Sequence, residues 1–297
     1  MEDIILIILN YNNYKETENC VDNLLNLHIK YEIVIVDNNS KNDSFMKLQN
    51  KYKDERNIDV IKTEKNGGYS YGNNFGMKYA IKKYSGINYF CILNPDVEID
   101  DVEIFKKMKE KIINTDISII SPIMLSYGGY FNSLSFGWEI PSNKTIWYNN
   151  IIFLKKKIGN RKIKVNNDRI AEVGVVSGSF FMIKKCDIEK IGFLDENVFL
   201  YNEENLLAIK LKKIGKKEAI LMNAYFYHNH DYSKNRTIKL KEKLKINKIG
   251  YQSRKYLCQK FYGRNAEIIL ILTHIINIIY ICTFGLIKNI IGRKNEG

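Results

Sequence analysis

The residues able to do chemistry stand mostly in clusters, and the main clusters follow apolar runs. Asp37 follows the run 31–36 directly. A carboxylate at the end of a buried strand accepts hydrogen bonds from a ribose or a base edge; the same acid can also cap the next helix. Asn94-Pro95-Asp96 ends the run 89–93, with Glu98 two residues on. Asp96 there offers hard oxygen to Mg2+ or Mn2+, which take one or two protein carboxylates and fill their shell with water and phosphate. Asn-Pro is equally a turn signal. His228 and His230 follow the run 219–227. At i, i+2 they can face the same way on an extended chain and, with Asp96, offer an N/O metal set, although a lone histidine is more often structural.

Glu203-Glu204 follows Phe199-Leu200-Tyr201-Asn202. Adjacent carboxylates do not share a helix face, so at most one of them points into a given cleft. There it has the chemistry of a general base, although acids also suit a helix start for electrostatic reasons alone. Asn66-Gly67-Gly68-Tyr69 and Gly72-Asn73-Asn74-Phe75-Gly76 precede or open a helix. Glycines let backbone approach a ligand, and a helix start favours phosphate. The stretch is neither G-x-G-x-x-G nor G-K-[ST], and it follows the third apolar run. That disfavours a dinucleotide site and excludes a P-loop.

The elements that must position these clusters alternate. Residues 4–9, 31–36, 59–63, 89–93 and 117–120 read as strands. Residues 20–27, 41–52, 72–84 and 101–113 read as helices, the last with Phe105, Met108 and Ile112 on one stripe. Such alternation predicts an α/β fold with a parallel, doubly wound sheet, whose ligand lies outside the carboxyl ends of the strands. The polar clusters after the first, second and fourth strands sit there. Regularity dissolves between 125 and 167, read as an irregular lid with a basic patch at Lys155, Lys156, Lys157, Arg161, Lys162 and Lys164. An apolar run at 173–184 contains Gly178; helices are expected at 188–191 and 203–214, and a strand at 219–227.

Composition bounds the function. The chain has 297 residues, 45% of them hydrophobic, with a formal charge of +13. That excludes collagen-like, mucin-like and wholly disordered chains and supplies an enzyme-sized core. Five cysteines without a C-x-x-C pair predict neither a disulfide framework nor a zinc knuckle, and so a reducing cytosol. The acidic Met1-Glu2-Asp3 and the short run after it are not expected to act as a signal peptide. Between Lys234 and Arg264 there are eleven basic residues and one acid. Residues 268–287 then carry no formal charge, apart from His274 if protonated. Twenty such residues reach the length of a membrane span, but Thr273, His274, Asn277 and Thr283 make a poor one. A span, an in-plane membrane helix and a helix packed on a partner all remain open, and the upstream lysines favour an anionic cytoplasmic membrane surface.

Taken in order, Asn10-Tyr11-Asn12, Val36-Asp37-Asn38-Asn39-Ser40, Asn66-Gly67-Gly68, Gly72-Asn73-Asn74-Phe75-Gly76 and Leu93-Asn94-Pro95-Asp96 form the first half of a recognisable series. Ser177-Gly178-Ser179-Phe180-Phe181, Gly192-Phe193-Leu194-Asp195-Glu196, Phe199 to Glu204 and His228-Asn229-His230 complete it. The series resembles the family 2 glycosyltransferases of the GT-A fold, in the rhamnosyltransferase-like branch, over residues 3–235. The resemblance implies a UDP- or dTDP-linked sugar at the carboxyl ends of the first strands. Asp37 would contact the uridine or thymidine, with Asn10, Tyr11 and Asn12 beside it. Asn39, Asn66, Gly67, Gly68, Asn73 and Asn94 would complete the donor site, and Gly178 would approach the donor or acceptor sugar. Asp96 would hold Mg2+ or Mn2+ against the diphosphate, with His228 as a metal or diphosphate contact. Glu204 would be the base for inverting attack, with Glu203 the second candidate. The family's Glu-Asp-x-Asp-Leu reads here Glu203-Glu204-Asn205-Leu206-Leu207, with leucine for the second aspartate, and Lys210 stands for the usual arginine.

The expected organisation is a GT-A domain over 1–235, with 125–170 as a variable acceptor or lid region, and basic and hydrophobic helices over 236–297. The expected function is metal-dependent transfer of a sugar to a saccharide or lipid-linked acceptor for a surface polysaccharide, at the inner face of the cell membrane, with no nucleic-acid partner. The alternative is a nucleotide-sugar-binding or nucleotidyltransferase-like protein without glycosyl transfer. A nucleotidyltransferase would want a basic glycine-rich signature after the first strand, and residues 10–15 have none.

Overall fold

A computed structural model describes residues 3–126, 128–151, 163–229 and 240–294, with 284–294 as backbone only. His230, Lys155 to Lys157, Arg161, Lys162 and the basic residues at 234–239 lie outside the described residues. The chain forms two compact units. The first comprises Met1–Ile140, Lys162–Glu196 and Glu203–His230; the second comprises Pro141–Arg161, Asn197–Asn202 and Asp231–Gly297.

The first unit is built on one sheet. Its strands are β1 (Ile4–Asn10), β2 (Glu32–Asp37), β3 (Ile58–Lys62), β4 (Tyr89–Leu93), β5 (Val97–Glu98), β6 (Ile117–Ser126), β7 (Tyr130–Phe131), β8 (Ile170–Val173), β9 (Phe180–Lys184) and β10 (Lys217–His228). Its helices are α1 (Tyr14–Asn26), α2 (Ser44–Tyr52), α3 (Tyr69–Lys83), α4 (Glu103–Ile112), α6 (Lys185–Lys190) and α7 (Glu203–Lys213); α5 (Asn143–Asn150) belongs to the second unit. The strand order is β3-β2-β1-β4-β9-β6-β10-β5, with β7 paired to β6 and β8 to β10.

Strand β1 explains itself. It is apolar at nearly every position, as a strand covered on both sides must be. Ile4, Leu6 and Ile8 pack with Val21 and Leu24 of α1 and with Phe105 and Met108 of α4. Ile5 and Ile7 pack with Met77 and Ala80 of α3 and with Leu207 and Leu211 of α7. The period of two along the strand thus feeds two cores. β1 runs parallel to β2 and β4, with Asn10 beside Asp37 in the register. The polar clusters therefore gather at one end of the sheet.

Three sequence expectations change. The sheet is mixed, because β9 enters antiparallel between β4 and β6. The run expected over 173–184 breaks into β8 and β9, with 174–179 as a connecting turn. Gly174 lies so close to Glu139 and Ile140 that an added Cβ would sit 2.6 Å from the Ile140 nitrogen. Val175 there exchanges two backbone hydrogen bonds with Trp138, at 2.8 and 2.9 Å. β6 runs past Pro122, which brings no N–H to a ladder. The preceding Ser121 hydroxyl donates to the Phe180 carbonyl at 2.7 Å and ties the strand to β9 at that point.

In the second unit, α5, α8 (Leu240–Phe261) and α9 (Arg264–Lys294) pack together. Trp147 Nε1 donates to the Ala266 carbonyl at 3.1 Å, and Asn150 Nδ2 donates to Thr273 Oγ1 at 3.0 Å. Arg254 Nε donates to Asn150 Oδ1 at 3.0 Å, and the Tyr251 ring stacks on His274 at 3.7 Å. α9 contains, over Arg264–Thr283, a stretch long and apolar enough to cross a membrane.

Helix α3 lies on the sheet through its glycines. A Cβ on Gly72 would stand 2.3 Å from Leu9 Cδ1, and one on Gly76 would stand 2.7 Å from Val36 Cγ2 and 2.8 Å from Ile7 Cγ2. Gly76→Val should therefore overpack this interface and lower stability by about 1–3 kcal/mol, read from urea unfolding. An unchanged midpoint would mean that α3 does not bear on β1 and β2 this closely.

Candidate active site

All the described residues of the candidate site lie in the first unit. At the ends of β1 and β2 the Asn10 and Asp37 side chains meet. Asn10 Nδ2 donates to Asp37 Oδ2 at 2.7 Å, and the Ser40 amide donates to Asp37 Oδ1 at 2.8 Å. Thr17 Oγ1 donates to Asn10 Oδ1 at 2.9 Å. Both Asn10 and Asp37 have no exposed surface. The carboxylate is thus spent on holding the two strand ends together. The exposed positions beside it are Tyr11 and Asn12, with Asn39 half-buried. Asn12 and Asn39 have positive φ, a conformation asparagine tolerates better than most residues. The Asn12 amide donates to Ser40 Oγ at 2.8 Å, and Asn39 Nδ2 donates to the Glu64 carbonyl at 2.8 Å.

The glycine-rich stretch is fastened to the same corner. Asn38 Nδ2 donates to Asn66 Oδ1 at 3.1 Å and to the Gly68 carbonyl at 3.0 Å, and the Gly68 amide returns to Asn66 Oδ1 at 3.1 Å. Gly68 sits at φ +89°, where a side chain would strain the backbone. Gly67 abuts the Tyr71 ring, so a Cβ there would clash at 2.4 Å. Asn73 is fully buried; its Nδ2 donates to the Tyr69 carbonyl at 3.0 Å while its Oδ1 has no hydrogen-bond partner.

Asp96 and His228 are far apart in sequence and adjacent in space. The two-residue β5 pairs antiparallel with the end of β10, setting His228 opposite Val97. His228 Nε2 stands 3.2 Å from Asp96 Oδ1, and each side chain is 12% exposed. The Asn229 amide donates to the Asp96 carbonyl at 2.8 Å, and Asn229 Nδ2 donates to Glu98 Oε2 at 2.7 Å. Glu98 is thus turned to Asn229 and exposed. Asn94 anchors the same turn, its amide donating to the Ser179 carbonyl at 2.8 Å. Burial first, and then the Asp96 charge, pushes the Cys20 thiol up to about 12, so it offers no thiolate ligand. Among the described residues no group of three or more His, Cys, Asp or Glu could hold a metal by itself. A pair of protein ligands suits a divalent ion whose shell is completed by diphosphate and water.

Of the two carboxyl groups at the start of α7, that of Glu204 reaches the 174–179 turn. The Gly178 amide donates to the Glu204 carboxylate, and a Cβ at 178 would lie 3.0 Å from Glu204 Oε1. Glycine at 178 is therefore a matter of close approach to an acid. Burial raises the Glu204 pKa, while its own amide and that of Gly178 hold it down. Glu203 is more deeply buried, with Oε2 unpaired, and burial with the Glu204 charge raises it well above the usual range. Leu206, in the slot of the second aspartate, is fully buried in the core. Lys210, in the arginine slot, donates to the Phe193 carbonyl.

Sequence reasoning missed three members of this neighbourhood. The Tyr69 hydroxyl donates to the Gly178 carbonyl at 2.6 Å, fixing the peptide that follows the one whose amide holds Glu204. Trp138 Nε1 donates to Asn205 Oδ1 at 2.9 Å. Glu218 is buried in β10 and accepts from the Val176 amide at 2.8 Å, two residues before Gly178. Its signal was present: an acid opening the otherwise apolar run at 219–221.

The amino-acid order, the sheet and this cluster agree on a class of protein, the GT-A fold. The model of the family described as glycosyl transferase family 2 matches residues 5–192, and the chain belongs to that family. It is 28% identical over 205 residues to the low-salt glycan biosynthesis hexosyltransferase Agl10 of Haloferax volcanii, covering 69% of this chain and 60% of that protein. The chain thus spans less than two thirds of that relative's length. Among solved structures, GalNAc-T7 with UDP, GalNAc and Mn2+ is similar at a TM-score of 0.59 and 14% identity, covering 76% of this chain and 44% of that one. TarS residues 1–349 of S. aureus in complex with UDP is similar at 0.53 and 14%, covering 85% and 65%. At such identities these two structures speak for the fold.

Burial pushes the Glu218 carboxyl up to about 8, with the Glu204 charge adding to it, against 4.5 for an ordinary glutamate. Between those values the unfolded chain has lost a proton that the folded chain keeps, so this carboxyl costs stability as pH rises from about 4.5 to about 8. Each unit of elevation corresponds to about 1.4 kcal/mol. Glu218→Gln, which keeps an oxygen for the Val176 amide, should gain on wild type as pH rises across that range, read by unfolding at pH 5 and pH 9. A constant difference would show that Glu218 ionises normally.

Proposed function

We propose that this chain is an inverting, divalent-metal-dependent glycosyltransferase that moves a hexosyl or rhamnosyl unit from a UDP- or dTDP-sugar to a hydroxyl of a saccharide or lipid-linked acceptor in surface polysaccharide synthesis, at the inner face of the cell membrane. The observation that carries it is the Asp96–His228 pair, 3.2 Å apart at the end of the sheet where Asn10 and Asp37 close the first two strands. Family membership and the hexosyltransferase name of the Haloferax relative support glycosyl transfer; the UDP and Mn2+ in the solved relatives support the donor and the metal.

Asp96 and His228 would hold the metal, and the imidazole makes Mn2+ the better fit than Mg2+. Such an ion offsets the negative charge that develops on the leaving diphosphate. The exposed Tyr11 and Asn12 would line the nucleotide, while Asn10 and Asp37 orient that loop from beneath. Asn66, Gly67 and Gly68 present backbone to the donor across a corner already hydrogen-bonded to Asn38. Glu204 is the base. It keeps more exposed surface than Glu203, its own amide and that of Gly178 fix its carboxylate, and burial raises its affinity for the acceptor's proton. A carboxylate taking that proton opposite the leaving group directs in-line attack and inversion. Burial and the Glu204 charge both raise the proton affinity of Glu203, which favours Glu204 for the ionised role.

The test is transfer from UDP-, dTDP- and GDP-sugars with Mn2+ or Mg2+, together with thermal stabilisation by UDP. Asp96→Ala should lose roughly 100-fold or more in activity, together with the metal-dependent part of UDP stabilisation. Glu204→Gln should lose about 100- to 10,000-fold in kcat while UDP stabilisation stays. The wild-type rate should rise with pH through an ionisation above the ordinary glutamate value, because the raised carboxyl must be ionised to act. Full activity in Glu204→Gln with loss in Glu203→Gln would move the base one residue. UDP binding without transfer to any acceptor would favour the binding-protein alternative.

A further inference from the structure

Helix α9 has its polarity reversed for a helix at an aqueous surface. Ile268, Leu272, Ile275, Ile276 and Ile279 recur at helical spacing and are between 46% and 58% exposed. Its other face carries polar groups inward: Thr273 receives a hydrogen bond from Asn150, His274 stacks on Tyr251, and Asn277 is fully buried. Water would select the opposite arrangement. An exposed apolar stripe of this extent marks an interaction surface.

The neighbouring helix says what covers it. α8 turns back on α9 through Gly263, at φ +83°, and the two pack along their length. Lys255 meets Glu267 at 3.4 Å, and Tyr251 meets His274, so the register is antiparallel. The exposed Lys241, Lys243, Lys245 and Lys248 of α8 therefore accompany the later part of the α9 stripe. A helix crossing the bilayer would carry these ammonium groups into hydrocarbon, which is costly. In the plane of the interface, the stripe meets acyl chains while the lysines meet lipid phosphates.

We propose that α9 lies in the plane of an anionic membrane surface, inserting the stripe Ile268, Leu272, Ile275, Ile276 and Ile279, with the α8 lysines on the headgroups, and that it does not span. This deepens the membrane location proposed above, but it stands on α8 and α9 alone and needs no turnover. The experiment is flotation of the full chain with phosphatidylcholine vesicles, with or without phosphatidylglycerol. Binding should require the anionic lipid and weaken at 0.5 M salt. Leu272→Glu with Ile276→Glu should reduce the bound fraction at least tenfold, with an unchanged circular dichroism spectrum and unchanged UDP stabilisation. Lys245→Glu with Lys248→Glu should weaken binding to anionic vesicles. In cells, alkaline carbonate should release the protein from membranes. Retention after carbonate would establish a span and overturn the proposal. So would vesicle binding indifferent to the stripe variants, or a solution dimer that Leu272→Glu dissociates without any vesicle binding. A failed transferase assay with these results intact would count against the proposed reaction and leave the membrane face standing.

Discussion

The hydrogen bond from Asn10 to Asp37, 2.7 Å long and closed to solvent, is the constraint on which the carboxyl ends of β1 and β2 depend. A buried carboxylate is stable only when its oxygens are occupied. Asp37 satisfies this with Asn10 on one side and the Ser40 amide on the other. That requirement ties β1 to β2 in a single register and orients the loops after both strands. Thr17 and Asn12 join from α1 and its approach, and Asn38 extends the network to Asn66 and Gly68. An acid at a strand end thus makes the surrounding backbone rigid.

The other end of the candidate chemistry follows a related logic with buried carboxyl groups. Glu204 and Glu218 reach the 174–179 turn, Glu203 is buried beside Glu204, and all three have raised proton affinities. Low-dielectric surroundings penalise several negative charges in one place. The Gly178 amide marks where the Glu204 carboxyl sits. Tyr69 and Glu218 hold the carbonyl of Gly178 and the amide of Val176 respectively. The turn is thereby fixed through its backbone, which leaves glycine 178 free to approach the acid.

The readable parts of this fold were those written in local pattern. The continuous apolar run of β1, the stripe of Phe105, Met108 and Ile112, and the polar ends of β1, β2 and β4 needed no tertiary information. The antiparallel β9 was not legible, because a buried strand has the same apolar composition whichever way it runs. The break at 174–179 was hidden for a similar reason: Val175 and Val176 look like strand, while the close approach of Gly174 to Glu139 and Ile140 is a tertiary fact. Asp37 could be read as important without its mode being readable. Its burial against Asn10 and Ser40 is a tertiary fact that no local pattern carries. Glu218 was overlooked because a single acid beside an apolar run resembles a strand terminus, and its partner Val176 lies 42 positions away.

The C-terminal helices show why pattern alone could not choose among three fates for an apolar segment. Residues 268–287 are equally apolar whether they cross a bilayer, lie on it or meet a partner. The distinguishing information is which side chains α5 and α8 occupy. Once Asn150 takes Thr273 and Tyr251 takes His274, the polar side chains face inward and the isoleucines are left outside. On a membrane surface the lysines of α8 would fix how deep that face could go, since ammonium groups do not follow it into hydrocarbon. Two helices, each ambiguous by itself, would thus set a limit on insertion that neither sets alone.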